Sequence, residues 1–220
     1  MARVPAITSV EATEDGEKEV EREEELLDGR EAAGGGMAIH CSGDNAKKKK
    51  QPGNKNLRWA KPVSRQIKVN VDGSFLHDDH TGAVGAILRD HDGLFIAAST
   101  LYIPNLASAA LAEAMALREG LSLAHRIGCN NVIAESDSLE TVEACTGAEV
   151  WWGDSAAVFA DCVDLMALIG SVQVQHCPRE ANGAAHALAK FCSSDKNSCN
   201  WVDEPPSFLL DVLVNDVTIP

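Results

Sequence analysis

A strict alternation of apolar and polar residues starts at Ile67 and limits the possible folds more than any other feature of this chain. Over residues 67–72, three aliphatic side chains alternate with three polar ones, a period of two that predicts a β-strand with one buried face. Apolar runs at 83–89 and 94–103 follow, and the Asp-Gly pair that ends at Gly93 is typical of a hairpin between them. The three runs together predict an antiparallel meander.

Helical and extended patterns alternate from there to residue 194. Residues 106–127 are rich in Ala, Leu, Glu and Arg and contain no proline, so we expect a long helix that ends at Gly128. Shorter elements follow: a strand at 131–135, helices at 138–145 and 155–169, a strand at 171–177 and a helix at 179–194. The order β-β-β-α-β-α-α-β-α predicts an α/β fold in which helices flank a five-stranded mixed sheet.

The segments on either side of this region differ in composition. Residues 1–64 contain an acidic run at 17–25 and four consecutive lysines at 47–50, so we expect a disordered leader that is first acidic and then basic. The predicted domain occupies residues 65–195, and residues 196–220 form a C-terminal tail. An apolar run in this tail either packs back on the domain or docks a partner.

Composition excludes several classes of protein. No apolar run approaches the roughly 20 residues that cross a bilayer, so we expect no membrane association. The N-terminus lacks the apolar core of a secretion signal and is too acidic for an organelle transit peptide, which predicts a cytoplasmic or nuclear protein. The seven cysteines contain no Cys-x-x-Cys pair, so we expect reduced, mostly buried thiols rather than a disulfide framework or a zinc site.

Two carboxylates stand where burial is expected. Asp72 ends the first predicted strand just before Gly73, although Asp-Gly is also common turn chemistry. Glu113 projects from a helical stripe of small residues, where an unpaired ionised carboxylate costs several kcal/mol. It therefore needs a cation, unless it lies at the edge of the stripe and reaches water. Arg118, the nearest basic residue, is five positions away and points elsewhere on the helix.

A third acid, Asp137, follows the fourth predicted strand. Because Glu140 stands three residues later, Asp137 can equally cap the next helix. Glu135 is a weaker candidate than Asp137 because it shares the parity of Ile133 along the strand.

The three acids can meet at one surface of the sheet if the first and fourth predicted strands adjoin. Clustered carboxylates repel one another unless cations neutralise them, and their hard oxygen ligands suit magnesium or manganese. Two such ions about 4 Å apart can activate a water and stabilise the leaving oxygen of a phosphodiester. The sequence therefore predicts a metal-dependent site for phosphodiester hydrolysis.

Five segments around these acids carry a family resemblance. They are KVNVDGSF at 68–75, GAVGAILRDHDG at 82–93, LAEAMALREGLSLA at 111–124, AESDS at 134–138 and HCPREANGAAHALAK at 176–190, with Trp201 after them. In this order and spacing they resemble type 1 ribonuclease H, in particular the reverse-transcriptase-derived ribonuclease H-like domains of plants. The resemblance implies a ribonuclease H-like fold and hydrolysis of the RNA strand of RNA/DNA hybrids.

The resemblance also implies the composition of the site. Asp72, Glu113 and Asp137 would bind the metal, with two Mg²⁺ or Mn²⁺ ions expected per site. His186 replaces the family's fourth acid, which leaves one negative charge fewer and implies weaker magnesium affinity. His186 could equally be a histidine on the helix face with no ligand role. His176 matches a loop histidine that is thought to help with proton movement or product release, and the alternative is a surface histidine at a strand end without such a role.

By the same resemblance, Gly73, Ser74 and Asn182 would contact the substrate. We expect a monomer whose partner is an RNA/DNA hybrid. Ala109 and Ala110 depart from the family, whose members often place asparagines here to bind the sugar 2′-hydroxyls.

Other features leave the mode of substrate binding open. The chain has a net charge of −14, so its affinity for a hybrid would depend on basic residues such as those in the basic stretch from Lys47 to Lys68. This stretch could equally be a nuclear localisation tract or a solvated linker. Trp151 and Trp152 either stack on bases or pack against helices.

Two alternative functions follow from these departures. One is a catalytically weak or inactive module that binds nucleic acid or a protein partner. The other is a nuclease of the same fold that acts on DNA alone.

Overall fold

The computed structural model describes residues 58–147 and 153–218. The predicted disordered leader up to residue 57, its lysines at 47–50, and the two tryptophans at 151 and 152 lie outside the described residues. The predictions made for them stay predictions.

Six strands in the described ranges form one mixed sheet in the order β5-β4-β1-β2-β3-β6. They are β1 (Ile67–Leu76), β2 (Thr81–Arg89), β3 (Phe95–Ile103), β4 (Asn131–Ser136), β5 (Ser171–His176) and β6 (Cys199–Val202). Neighbours from β1 through β2 and β3 to β6 are antiparallel, whereas β1, β4 and β5 are parallel. The predicted meander and mixed sheet are confirmed. The predicted number of five strands is wrong, because β6 comes from the predicted tail.

Helices pack on the sheet. In the described ranges they are α1 (Ala109–Ile127), α2 (Leu139–Thr146), α3 (Ala156–Ile169), α4 (Gly183–Asp195) and α5 (Leu210–Thr218), with 3-10 turns at Arg179–Ala181 and Ser207–Leu209. Helix α1 begins at Ala109 rather than at residue 106 because the Ser108 hydroxyl caps it, accepting from the Leu111 N–H at 3.2 Å. It ends at Gly128, as predicted. No helix in the described part of the chain is long and apolar enough to cross a membrane.

The hydrophobic core lies on both faces of the sheet. Val69 and Val71 of β1 belong to the same buried cluster as Leu117 of α1. On β2, Ile87 packs in a second cluster with Leu188 of α4. The alternation that begins at Ile67 thus places the apolar side chains of β1 on the face that packs against α1. The polar side chains lie on the opposite face.

The domain starts earlier than residue 65. Trp59 is only 4 % exposed and donates its indole N–H to Asn70 Oδ1 at 2.8 Å. The guanidinium carbon of Arg89 lies 3.7 Å from the centre of the Trp59 ring. Residues 58–64 were predicted to belong to the leader. Trp59 in this segment packs on β1 and β2, so the domain includes it.

The predicted tail is also part of the domain. Strand β6 extends the sheet beside β3, and Leu209 is fully buried against α4. Asp216 of α5 accepts a hydrogen bond from Arg89 Nη1 at 2.6 Å, and this arginine is 1 % exposed. Of the two predicted alternatives, the structure therefore has the tail packed back on the domain, beyond the predicted boundary at residue 195.

Cysteines are free thiols throughout the described ranges. Cys162, Cys177 and Cys192 are buried, and three others are partly exposed. Burial, followed by repulsion from Glu135, raises the pKa of the Cys177 thiol to about 12. A thiol that stays protonated is unreactive, in agreement with the predicted packing role.

Candidate active site

Three carboxylates from three different elements meet beside the end of β4. Asp72 lies on β1, Glu113 on α1 and Asp137 directly after β4. Parallel pairing places Val71 opposite Ser136, so the acids that follow these two residues are neighbours. One carboxylate oxygen of each acid lies within 4.8 Å of the others. The structure therefore brings together the three acids that the sequence singled out.

Gly73 allows the close approach of α1 that carries Glu113 into this cluster. A Cβ atom at Gly73 would lie 2.5 Å from the Ala112 carbonyl carbon and 2.7 Å from the Glu113 nitrogen. Any residue with a side chain would therefore displace the helix. A hydrogen bond from the Gly73 backbone favours the ionised form of Glu113 and lowers its pKa, against larger opposing effects. The structure gives Gly73 a packing role, and its predicted contact with substrate stays a prediction.

Asp137 is oriented by a hydrogen bond from Asn182, and it does not cap helix α2. Ser138, rather than Asp137, caps α2, because its hydroxyl accepts from the Thr141 N–H at 3.2 Å. The side-chain amide of Asn182 donates to Asp137 Oδ1 at 3.1 Å and to the Val71 carbonyl at 2.8 Å. The capping alternative for Asp137 is thus removed. Asn182 is 1 % exposed and acts here as a positioning residue, and its predicted contact with substrate stays a prediction.

The three carboxylates are costly to ionise together. Burial, followed by repulsion from Asp137, raises the pKa of Asp72 to about 6. Burial, followed by repulsion from Asp72 and Asp137, raises the pKa of Glu113 to about 8. Glu113 Oε2 is buried and has no hydrogen-bond partner among the described residues. Oxygen donors that repel one another, with one of them unpaired and buried, fit a hard divalent cation such as Mg²⁺ or Mn²⁺.

His186 of α4 contacts this cluster. Its Nδ1 lies 3.1 Å from Asp72 Oδ2, and the side chain is 45 % exposed. Its charge and hydrogen bond both lower the pKa of Asp72, although burial outweighs them. The imidazole thus stands within reach of the acids, where it can pair with Asp72 or take part in ligation.

His176 and Ser74 lie near the acids without a bond to them. His176 is exposed at the end of β5 and pairs with Ser136, the residue before Asp137. The Ser74 hydroxyl donates to the Ala83 carbonyl at 3.1 Å, within the sheet. The roles predicted for His176 and Ser74 stay predictions.

Arg179 belongs to the site but was not singled out from the sequence. It is exposed on the 3-10 turn before α4, and its positive charge lowers the pKa of both Asp72 and Glu113. A signal was present, since Arg179 is the basic residue between His176 and Asn182 in a segment that carries the family resemblance.

Two residues considered as alternatives have other partners. Glu135 forms a buried ion pair with Lys68, whose Nζ lies 2.6 Å from Glu135 Oε1. Arg118 binds Asp161 at 3.1 Å on the outer side of α1 and α3. Neither residue belongs to the carboxylate cluster, in agreement with the parity and helix-position arguments.

Comparison with known proteins supports the same domain type. A family model described as reverse transcriptase-like matches residues 70–192. Ribonuclease H1 from the halophilic archaeon Halobacterium salinarum NRC-1 is 26 % identical, with a TM-score of 0.54 over 59 % of this chain and 98 % of that chain. The N-terminal RNase H domain of Rv2228c from Mycobacterium tuberculosis is 20 % identical, with a TM-score of 0.56 over 59 % of this chain and 94 % of that one.

A third solved structure, LC11-RNase H1 in complex with an RNA/DNA hybrid, is 20 % identical, with a TM-score of 0.54 over 59 % of this chain and 98 % of that chain. A search of curated proteins found no match. Because the matched family region covers more than half of the sequence, the chain belongs to the reverse transcriptase-like family and has the ribonuclease H-like fold.

Proposed function

We propose that this protein is a metal-dependent endonuclease that hydrolyses the RNA strand of RNA/DNA hybrids. One observation carries the proposal: carboxylates of Asp72, Glu113 and Asp137 come within 4.8 Å of one another. Glu113 has a buried oxygen without a partner among the described residues. Such a cluster is unstable as three free anions, and divalent cations relieve the repulsion.

The residues that would hold the metal are the three acids, with His186 at the edge of the site. Two divalent ions, when bound, supply an activated water and stabilise the charge on the leaving oxygen. The chain itself prepares the ligands, since Asn182 fixes the direction of Asp137 and Gly73 admits Glu113. His176, exposed at the strand end next to Asp137, is the proposed carrier of protons or the aid to product release.

The proposed substrate follows from the family and from a related structure. LC11-RNase H1, which shares this fold, was solved in complex with an RNA/DNA hybrid. The carboxylates lie at a partly open surface of the sheet, with Glu113 and Asp137 half-buried, so a backbone phosphate can approach them. Arg179 supplies an exposed positive charge beside these acids, as phosphate binding requires.

A cleavage assay tests the proposal. Purified protein is incubated with an RNA/DNA hybrid, labelled on the RNA strand, in MgCl₂, in MnCl₂ and in EDTA. We expect internal cuts in the RNA with either metal and none in EDTA. Asp72→Asn should abolish cleavage, whereas Asp164→Asn, which removes an exposed acid on α3, should leave the rate unchanged. Equal behaviour of wild type and Asp72→Asn in both metals would contradict the proposal.

One observation favours a second candidate, a module that binds nucleic acid with weak or no catalysis. His186 lies 3.1 Å from Asp72, so a protonated imidazole can partly neutralise this acid in place of a metal. Under this alternative, calorimetric titration shows hybrid binding without turnover in either metal. His186→Asp would then be expected to raise the cleavage rate, because it restores a fourth carboxylate.

A further inference from the structure

Three ring side chains cluster where β1 turns into β2. The ring centres of Phe75 and His77 lie 6.1 Å apart, those of Phe75 and His80 lie 6.3 Å apart, and those of the two histidines lie 5.8 Å apart. Phe75 is half-buried, whereas both imidazoles are exposed. No function described so far uses these rings.

The cluster lies at the same end of the domain as the carboxylates. Phe75 and Gly73 share one face of β1, and two residues along a strand span about 6.6 Å. Gly73 lies against the backbone of Ala112 and Glu113 on this face, so the first ring is one step along the strand from the place where α1 brings Glu113 to the sheet. The Leu106 N–H, just before α1, donates to the His80 carbonyl at 2.8 Å and ties the turn to the start of that helix.

The turn holds its histidines in a defined geometry. His80 has a φ of 49°, in the left-handed region that residues other than glycine rarely adopt. The hydrogen bond from Leu106 opposes relaxation of this conformation. The rings are thus presented by a fixed turn, as a contact surface for a ligand requires.

Charge around the rings disfavours a site for phosphate. Asp78 and Asp79 lie between the two histidines in sequence and are both exposed, so they repel a phosphate backbone at this place. Ring faces attract the flat faces of bases regardless of base identity, so a nucleic acid at this place would be held by its bases and not by its phosphates. Bases stacked in a duplex do not offer their faces, whereas unpaired bases do.

We infer that Phe75, His77 and His80 form a stacking platform for unpaired bases at the end of the bound duplex. This inference rests on the proposed function, because the acids define where the hybrid lies. The inferred substrate is a hybrid that carries a single-stranded extension, as at a junction or an overhang, rather than a blunt hybrid.

Binding measured in EDTA tests the inference independently of catalysis. Fluorescence anisotropy compares a blunt RNA/DNA hybrid with the same hybrid carrying a single-stranded extension on the DNA or on the RNA strand. Stacking contributes about 1–3 kcal/mol per base. Wild type should therefore bind at least one extended hybrid about tenfold more tightly than the blunt one.

Two double variants separate stacking from other roles of the histidines. His77→Ala with His80→Ala should remove the preference for the extended hybrid and change the affinity for the blunt hybrid less than twofold. His77→Tyr with His80→Tyr should retain the preference, since it keeps the rings. His91→Ala, an exposed histidine on the turn at the opposite end of β2, is the matched control and should behave as wild type.

Two results would overturn the inference: equal affinity of wild type for blunt and extended hybrids, or loss of the preference in the tyrosine variant. Circular dichroism of each variant verifies folding. If the preference is found but no metal produces cleavage, only the proposed nuclease activity fails. If cleavage occurs without any preference, only the platform fails.

Discussion

Glu113→Gln should stabilise the metal-free protein and remove its response to a divalent cation. The reason is the raised pKa of Glu113, which is about 8 in the folded chain and 4.5 as the ordinary value. Because the folded state binds the proton more tightly, ionising Glu113 opposes folding. The stability of wild type in EDTA should therefore fall as the pH rises from about 4.5 to about 8.

The size of this effect follows from the linkage between protonation and folding. Each unit of pKa shift corresponds to about 1.4 kcal/mol. At pH 7, which is below the folded-state pKa of about 8, the stability has been lost over the 2.5 pH units above the ordinary pKa of 4.5. Glu113 therefore lowers the free energy of unfolding by up to about 3 kcal/mol. Gln has nearly the same shape without the charge, so it should recover most of this amount.

Urea unfolding in EDTA at pH 5, 6, 7 and 8 measures the effect in wild type and Glu113→Gln. Glu143→Gln, at an exposed position on α2, is the matched control for loss of one charge. The stability difference between wild type and Glu113→Gln should grow with pH, while the control shows no such trend. Adding MgCl₂ should stabilise wild type but not Glu113→Gln, since a cation that binds only the folded state raises its stability. A Glu113→Gln protein less stable than wild type at pH 8 in EDTA would refute the reasoning.

Three further substitutions have defined outcomes. Gly73→Ala should cost about 1–3 kcal/mol in urea unfolding through overpacking against α1, and should abolish cleavage because Glu113 is displaced. Glu135→Gln should cost about 3–5 kcal/mol, since Lys68 is then buried without its partner, and Lys68→Met in the same chain should restore part of the loss. Asp216→Asn should weaken the packing of α5 on Arg89. Limited proteolysis should then show faster cleavage of the chain after residue 203. An unchanged digest would show that the ion pair contributes little.

The sheet and the acids were predictable because local patterns encode them. The period of two in β1 fixed both the strand and the parity of Asp72, and the stripe of small residues on α1 marked Glu113 as a misplaced charge. The choice between a capping and a site role for Asp137 was not predictable. It depended on Ser138 taking the cap, and two neighbouring residues can compete for this role until the backbone geometry decides.

The elements that were missed depend on partners far away in the sequence. Strand β6 is four residues long, too short for a reliable period, and it exists because β3 offers an unpaired edge. Trp59 is fixed by Asn70 and by Arg89, which lies 30 positions later in the chain. The contact between Arg89 and Asp216 also joins residues that are far apart in the sequence, and no local pattern predicts it. Domain boundaries placed at the ends of periodic segments were therefore too narrow.

Two groups of buried charges in the sheet and in the helices packed on it explain how one domain serves both stability and chemistry. In the first, Glu135 has Lys68 at 2.6 Å and Arg89 has Asp216 at 2.6 Å, so the protein supplies both signs of charge. In the second, Glu113 has an oxygen with no partner in the described ranges, and the pKa values of Glu113 and Asp72 are raised. Since burial of an uncompensated charge opposes folding, the second group is retained at a cost in stability that the first avoids. This difference in compensation, more than the number of acids, identifies the place where a cation should bind.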